Sequence, residues 1–271
     1  MPYRIPSHVT RNNGCARSRR EAKYRNLWPD FAWSPCLGNT GANVREHIVQ
    51  QDGVLTSMVP ADDWVLSEGR GALDLDGMND HNLITNAPNT TGDISAAQWV
   101  YTRSGVAGSH FEKWGGAGSR SWIIYDETFG SGFYQVYLSS DGTASTSITG
   151  TTGGTPLRNA WQHVGFSLRG TSAKIFVDGK LAGSATHSGG IFSSSSNITI
   201  GADLGGSQFH NGLIDDSLLW FRGLTEANFA QLYSLGRGGW AEKRKRRIGV
   251  AGASGALLKR MMTEGLFTGK A

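Results

Sequence analysis

The residue types able to do chemistry are carboxylates, aromatic rings and clustered basic side chains. Hydrolysis of a glycosidic bond with retention needs two carboxyl groups about 5 Å apart. Asp74 with Asp76, and Asp215 with Asp216, come nearest to that requirement. Asp74 and Asp76 flank a strand end, where turn capping is the simpler role. Asp215 and Asp216 are adjacent, so on a regular strand they point to opposite faces and form no dyad. Asp76, Asn79 and Asp80, in Asp74-x-Asp76-Gly77-x-Asn79-Asp80, form a candidate calcium loop. It lacks the Glu that completes an EF-hand, and ordinary Asx turns use the same residues. Trp114, Trp122, Tyr125 and Tyr134 are candidates for stacking on sugar rings, if they reach the surface; at alternating strand positions they equally suit a core. His110, His163 and His187 have no metal-ligand spacing. Ser193–Ser196 lacks a nucleophile elbow, and Gly115-Gly116-Ala117-Gly118 lacks the downstream Lys of a phosphate loop. No enzymatic activity is therefore expected.

The basic residues are unevenly placed. Residues 1–26 carry a net charge of +6, residues 237–271 carry +7, and residues 27–236 carry −9. Basic arms on an acidic body seek negative surfaces. Arg17, Arg19 and Arg20 concentrate the charge at one end, and Lys243-Arg244-Lys245-Arg246-Arg247 at the other. The second run has no interleaved aromatics, which points away from nucleic acid and towards an acidic partner. Beyond it, Leu257 and Met261 belong to a narrow amphipathic stripe with Leu258 and Met262, a helix too short to persist without a partner surface. Cys15 and Cys36 read as ordinary thiols rather than a disulfide framework. No apolar stretch is long enough for a membrane span, and the N-terminus has no signal-peptide core.

The elements that must position these residues are strands. The 271-residue chain has 38 Gly and only 18% charged residues, with turn signals about every ten residues from Leu66 onward. That rhythm marks an all-β sandwich or barrel. Strands are expected at 72–76, 98–102, 121–125, 133–138, 163–168, 174–177, 197–201 and 212–221. Asp178-Gly179 lies between two strand-like runs, a strong hairpin signal. One helix follows, with Thr225 as N-cap, Leu224 and Phe229 as a hydrophobic staple, Phe229, Leu232 and Tyr233 on one face, and Gly236 as its stop. Trp161 and Val177 are expected in the core.

Four segments, in order, resemble the laminin G-like (concanavalin A-like lectin) superfamily. They are Gly71-Ala72-Leu73-Asp74-Leu75-Asp76-Gly77, Trp161-Gln162-His163-Val164, Lys174-Ile175-Phe176-Val177-Asp178-Gly179-Lys180, and Ile200-Gly201 with Phe209 through Asp216. Ser217 replaces the apolar residue usual in that family. The resemblance implies an antiparallel jelly-roll sandwich over 27–236, with a basic arm at 1–26 and a basic tail with a short amphipathic helix at 237–271. Calcium at the sandwich rim is what the family often uses. Sandwich glycosidases of the superfamily carry Glu-x-Asp-x-x-Glu on one strand, which is missing here. Asn26-Leu27-Trp28, Trp33 through Gly41, and Leu235-Gly236-Arg237-Gly238-Gly239-Trp240 resemble the start and end of lectin-like proteins of tailed phages.

A non-catalytic structural protein of a phage virion follows as the expected function. The sandwich would serve as a capsid decoration or tail-associated protein, assembled in the host cytoplasm. The arms would anchor it to the major capsid protein, to tail proteins or to neighbouring copies. The alternative is a carbohydrate-binding adhesin that recognises a host surface glycan.

Overall fold

The computed structural model describes residues 22–35, 40–103, 108–126, 132–203 and 208–241. The strands run β1 (Phe31–Trp33), β2 (Asn43–Val44), β3 (Gly53–Thr56), β4 (Trp64–Ser67), β5 (Arg70–Asp76), β6 (His81–Ile84), β7 (Ile94–Thr102) and β8 (Gly108–Trp114). They continue with β9 (Arg120–Asp126), β10 (Tyr134–Leu138), β11 (Thr146–Thr149), β12 (Trp161–Arg169), β13 (Ser172–Val177), β14 (Lys180–Thr186), β15 (Ile198–Ile200) and β16 (Asn211–Trp220). A single helical turn, α1 (Pro60–Asp63), precedes β4, and α2 (Glu226–Leu235) follows β16.

Two antiparallel sheets form the expected sandwich. The first has the order β14-β13-β12-β7-β16-β5-β4, and β1 lies beside the second half of β16. The second has the order β11-β10-β9-β8-β15-β6-β3-β2. Period-two alternation decides what lies between them. On β7, Ile94, Ala96 and Val100 face inward, while Ala97 and Trp99 face out. Phe111, Trp122, Ile124, Val136 and Leu138 of the second sheet meet Val164, Phe166, Leu168, Ile175 and Leu219 of the first. β8 escaped the sequence reading because two bulges break its alternation, and Lys113 points inward with Trp122 as its partner in register.

A second cluster lies outside the first sheet. Ala97, Phe176, Leu218 and Trp220 pack there beneath Phe229 and Leu232 of α2. Thr225 and Asn228 complete a reciprocal capping box, and Gly236 ends the helix at φ 71°. Tyr233 departs from the expected buried face: it stacks on Trp99 and stays 41% exposed. Asp178 and Gly179 both take positive φ in the β13–β14 turn, as a two-residue hairpin requires. Buried residues extend past 27–236 on both sides: Ala22, Trp240 and Ala241 join the outer cluster.

Val177 is buried, but Trp161 is not a core residue. It begins β12 on the outward face, beside Tyr101, where Arg237 covers its ring at 4.0 Å. The guanidinium–indole contact replaces burial as its stabilisation.

Candidate functional site

The outward face of the second sheet gathers the aromatic candidates. Register places Leu83, Thr199, Glu112, Ile123 and Tyr137 in one row across β6, β15, β8, β9 and β10. Ser109, Tyr125 and Gln135 form the next row. Tyr125 and Tyr137 stack with centroids 5.4 Å apart, and Trp114 tilts against Tyr137 at 6.2 Å. Arg120 lies over the Trp114 ring at 5.6 Å and donates to the Thr143 carbonyl. Trp114 and Tyr137 remain half-buried, so both keep ring area open to solvent. Tyr125 is nearly covered, and its hydroxyl donates to Gln135.

Trp122 does not join this surface. It points inward, 1% exposed, against Phe111 and Phe166. It sits one strand position from outward-facing Ile123, and strand alternation alone decides the difference. Tyr134 likewise points inward, fully buried. Tyr137, which the sequence reading did not single out, supplies the ring that links Trp114 to Tyr125.

Asp76, Asn79 and Asp80 share one turn, held by its own backbone. Asp76 Oδ1 accepts the N–H groups of Met78 and Asn79, and Asp80 Oδ2 accepts that of Asp76. Asp62, Asp63 and Asp74 lie near enough for repulsion. Burial first, and then these neighbouring charges, raise the carboxyls of Asp63 and Asp80. Among the described residues, no group of three or more His, Cys, Asp or Glu side chains is arranged to hold a metal ion.

Asp215 and Asp216 do not follow the expected strand alternation. β16 carries a bulge between Asp215 and Leu218, and Asp216 takes φ 48°. Both carboxylates therefore meet the segment after α2. Asp216 accepts from Gly238 N, Trp240 Nε1 (3.0 Å) and Ser34 Oγ (2.6 Å). Asp215 lies 3.7 Å from both Arg70 and Arg237, and burial pushes its carboxyl well above the usual range. Ser217, the departure from the family pattern, accepts a 2.6 Å bond from Gln98.

A further polar group lies at one end of the interior. His110 and His210 meet edge to face at 4.7 Å, and His110 lies 3.9 Å from Asp126. Arg158 approaches the other Asp126 oxygen at 3.5 Å. Burial holds both imidazoles neutral, each lowered to about 3, and raises Asp126. His163 is lowered to about 4 for the same reason.

The anchoring candidates Arg17, Arg19, Arg20, Lys243, Arg244, Lys245, Arg246, Arg247, Leu257 and Met261 lie outside the described residues, as do Cys15 and Cys36. No helix among the described residues is long and apolar enough to cross a membrane.

With this geometry in hand, comparison with known proteins defines the class. Residues 76–230, more than half of the chain, match the family model of the concanavalin A-like lectin/glucanases superfamily, and the chain belongs to it. No curated protein sequence matches. Solved structures share the fold. Domain 4 of AbnA, an extracellular arabinanase of Geobacillus stearothermophilus, seen with arabinotriose, is 17% identical at a TM-score of 0.56; the match covers 78% of this chain and 98% of that one. The botulinum neurotoxin serotype D ligand-binding domain, seen with N-acetylneuraminic acid, is 13% identical at 0.55, covering 80% of this chain and 55% of that one. Trypanosoma rangeli sialidase, seen with the inhibitor DANA, is 11% identical at 0.54, covering 75% and 32%.

Proposed function

We propose that the protein is a non-catalytic carbohydrate-binding protein whose sugar platform is the outward face of the second sheet. The Trp114–Tyr137–Tyr125 run on that face carries this proposal. Two half-open rings tethered by a third, with Arg120 fixing the indole, offer flat apolar area to the C–H face of a sugar. Gln135 and Glu112 lie in the same rows but are buried, accepting from Tyr125 and Ser109. Glu112 is the one carboxylate on the outward face of the described β8, β9, β10 and β15, so the two-carboxylate arrangement of a glycosidase is not assembled there. Asp215 and Asp216 are 0% and 1% exposed beneath residues 237–241, with no open side for a substrate. The sugar-binding structures of the same fold favour this function without identifying the glycan. Glycan-array binding of the whole chain tests it. Trp114→Ala and Tyr137→Ala should each abolish or sharply weaken binding while the chain stays folded, with a melting-temperature loss of only about 2–6 °C from the lost ring contacts. Retained binding in both variants would remove the platform.

A virion role is a second reading, favoured by one observation. Ala22, at the end of the N-terminal arm, and Trp240 with Ala241, at the start of the C-terminal tail, pack in the same cluster outside the first sheet. Both basic arms thus join the body on the side away from the platform. This arrangement suits a decoration or tail protein that grips an assembly with one face and displays sugar-binding rings on the other. Capsid or tail proteins and neighbouring copies would be the partners, and a host surface glycan the external ligand. Particles decorated at full occupancy by a chain lacking 242–271 would overturn the tail as anchor.

A further inference from the structure

The outer face of the first sheet carries a cleft that the platform does not use. Its volume is about 690 Å³, within the range of small-ligand sites. It opens between β12, β13 and the start of α2, with Phe176 and Leu224 at its base. Ser167 spends its hydroxyl on the Leu224 carbonyl at 2.8 Å. At one end Lys174 and Glu226 form a 2.6 Å ion pair. At another, Asp93 Oδ1 accepts Gly170 N at 2.7 Å, which leaves its second oxygen for a ligand. Arg169 is exposed along the same cleft, and its side chain makes no hydrogen bond or ion pair with any described residue. Its stem passes directly over Gly223, where a Cβ would overlap the Arg169 Cγ. A guanidinium without a protein partner, its stem lying along the cleft, is available to a ligand.

We propose that this cleft binds a saccharide bearing a carboxylate, with Arg169 as the carboxylate anchor. The planar guanidinium matches a carboxylate with two parallel hydrogen bonds. Asp93 and Glu226 have free oxygens to accept from ring hydroxyls, and Ser172 offers a hydroxyl of its own. The same two acids repel a dianion, which disfavours a phosphate monoester relative to a single carboxylate. The site is separate from the platform and does not depend on it.

Calorimetric titration of the full chain with an oligogalacturonate and with its neutral methyl ester tests the proposal. The acid form should bind, and the ester at least about tenfold more weakly. Arg169→Ala should weaken binding of the acid form by at least about tenfold. Arg169→Lys should recover only part of it, because an ammonium cannot make the paired contact. Trp114→Ala should leave this binding unchanged, which separates failure here from failure of the platform. No binding up to about 10 mM, equal binding of acid and ester, or loss through Trp114 rather than Arg169 would each overturn the assignment. An acidic peptide bound through Arg169 more tightly than the saccharide would overturn the ligand class.

Discussion

Mild acid should destabilise this protein through three buried histidines. His110 and His210 lie within the sandwich, facing Asp126, Arg158 and Tyr134. His163 lies outside the first sheet against Trp99 and Phe229, with Asp216 nearby. Folding lowers them from 6.5 to about 3, 3 and 4, since burial disfavours the imidazolium. A group whose folded value is depressed contributes stability above its unfolded value and loses it as pH falls. The loss begins near pH 6.5, where the unfolded chain takes up protons that the folded one refuses. By pH 5 each histidine should cost about 2 kcal/mol, or about 6 kcal/mol together, comparable to the whole stability of many domains. Asp126 and Asp215 act in the opposite sense. Burial raises their folded values, so they take up protons in the folded state first and partly offset the loss. The two contributions separate in a difference experiment. Urea unfolding at pH 7 and pH 5, followed by tryptophan fluorescence, should show a smaller drop for His163→Gln than for wild type, by about 2 kcal/mol. The carboxylates cancel in that difference, as does any constant cost of the substitution. Equal drops in wild type and variant would refute the reasoning.

Further outcomes follow from particular side chains. Lys113 donates to the carbonyls of Ala87 and Ser196, and burial lowers it to about 8. Its folded value lies below its unfolded one, so stability should rise between about pH 8 and 10.5, by about 3 kcal/mol, and Lys113→Met should abolish that rise. Trp122→Ala should cost about 3–5 kcal/mol by denaturant titration, whereas Trp161→Ala should cost less because its ring is already partly in water. The Asp76–Asp80 turn is held by its own N–H groups, so its melting temperature should be the same in millimolar calcium and in chelator; a rise with calcium that Asp80→Asn removes would make it a calcium loop.

The sandwich was legible in the sequence because alternation and turn chemistry are local signals. Ser121–Tyr125 and Lys174–Val177 are β-rich runs ended by turn residues, and the Asp178-Gly179 pair fixed its hairpin register. The Thr225 cap was legible for the same reason. The direction in which a side chain points was less so. Trp122 and Trp114 sit on adjacent strand segments, yet a bulge between Lys113 and Trp114 helps to decide which of them meets solvent. The outer cleft had no sequence signal at all. Asp93, Arg169 and Glu226 come from three distant segments, and only the return of α2 over β12 and β13 brings them together.

The Asp215–Asp216 pair shows why a correct rule can still mislead. Adjacent strand residues oppose one another only where the ladder is regular, and β16 is irregular at that point because two of its residues sit opposite Gln98 alone. The bulge turns Asp216 towards Gly238, Trp240 and Ser34, whose donors would otherwise face a buried, unpaired surface. Trp240 in turn packs on Trp28 and His47, so one carboxylate ties the C-terminal segment to the N-terminal one. Asp216→Ala leaves three donors without an acceptor and should cost about 3–5 kcal/mol. If the segment is bound chiefly through that carboxylate, Trp240 should become accessible to acrylamide quenching in the variant while the sandwich stays folded. Unchanged quenching would assign the hold to Trp28 packing instead, and the bulge would then be an incidental feature of β16.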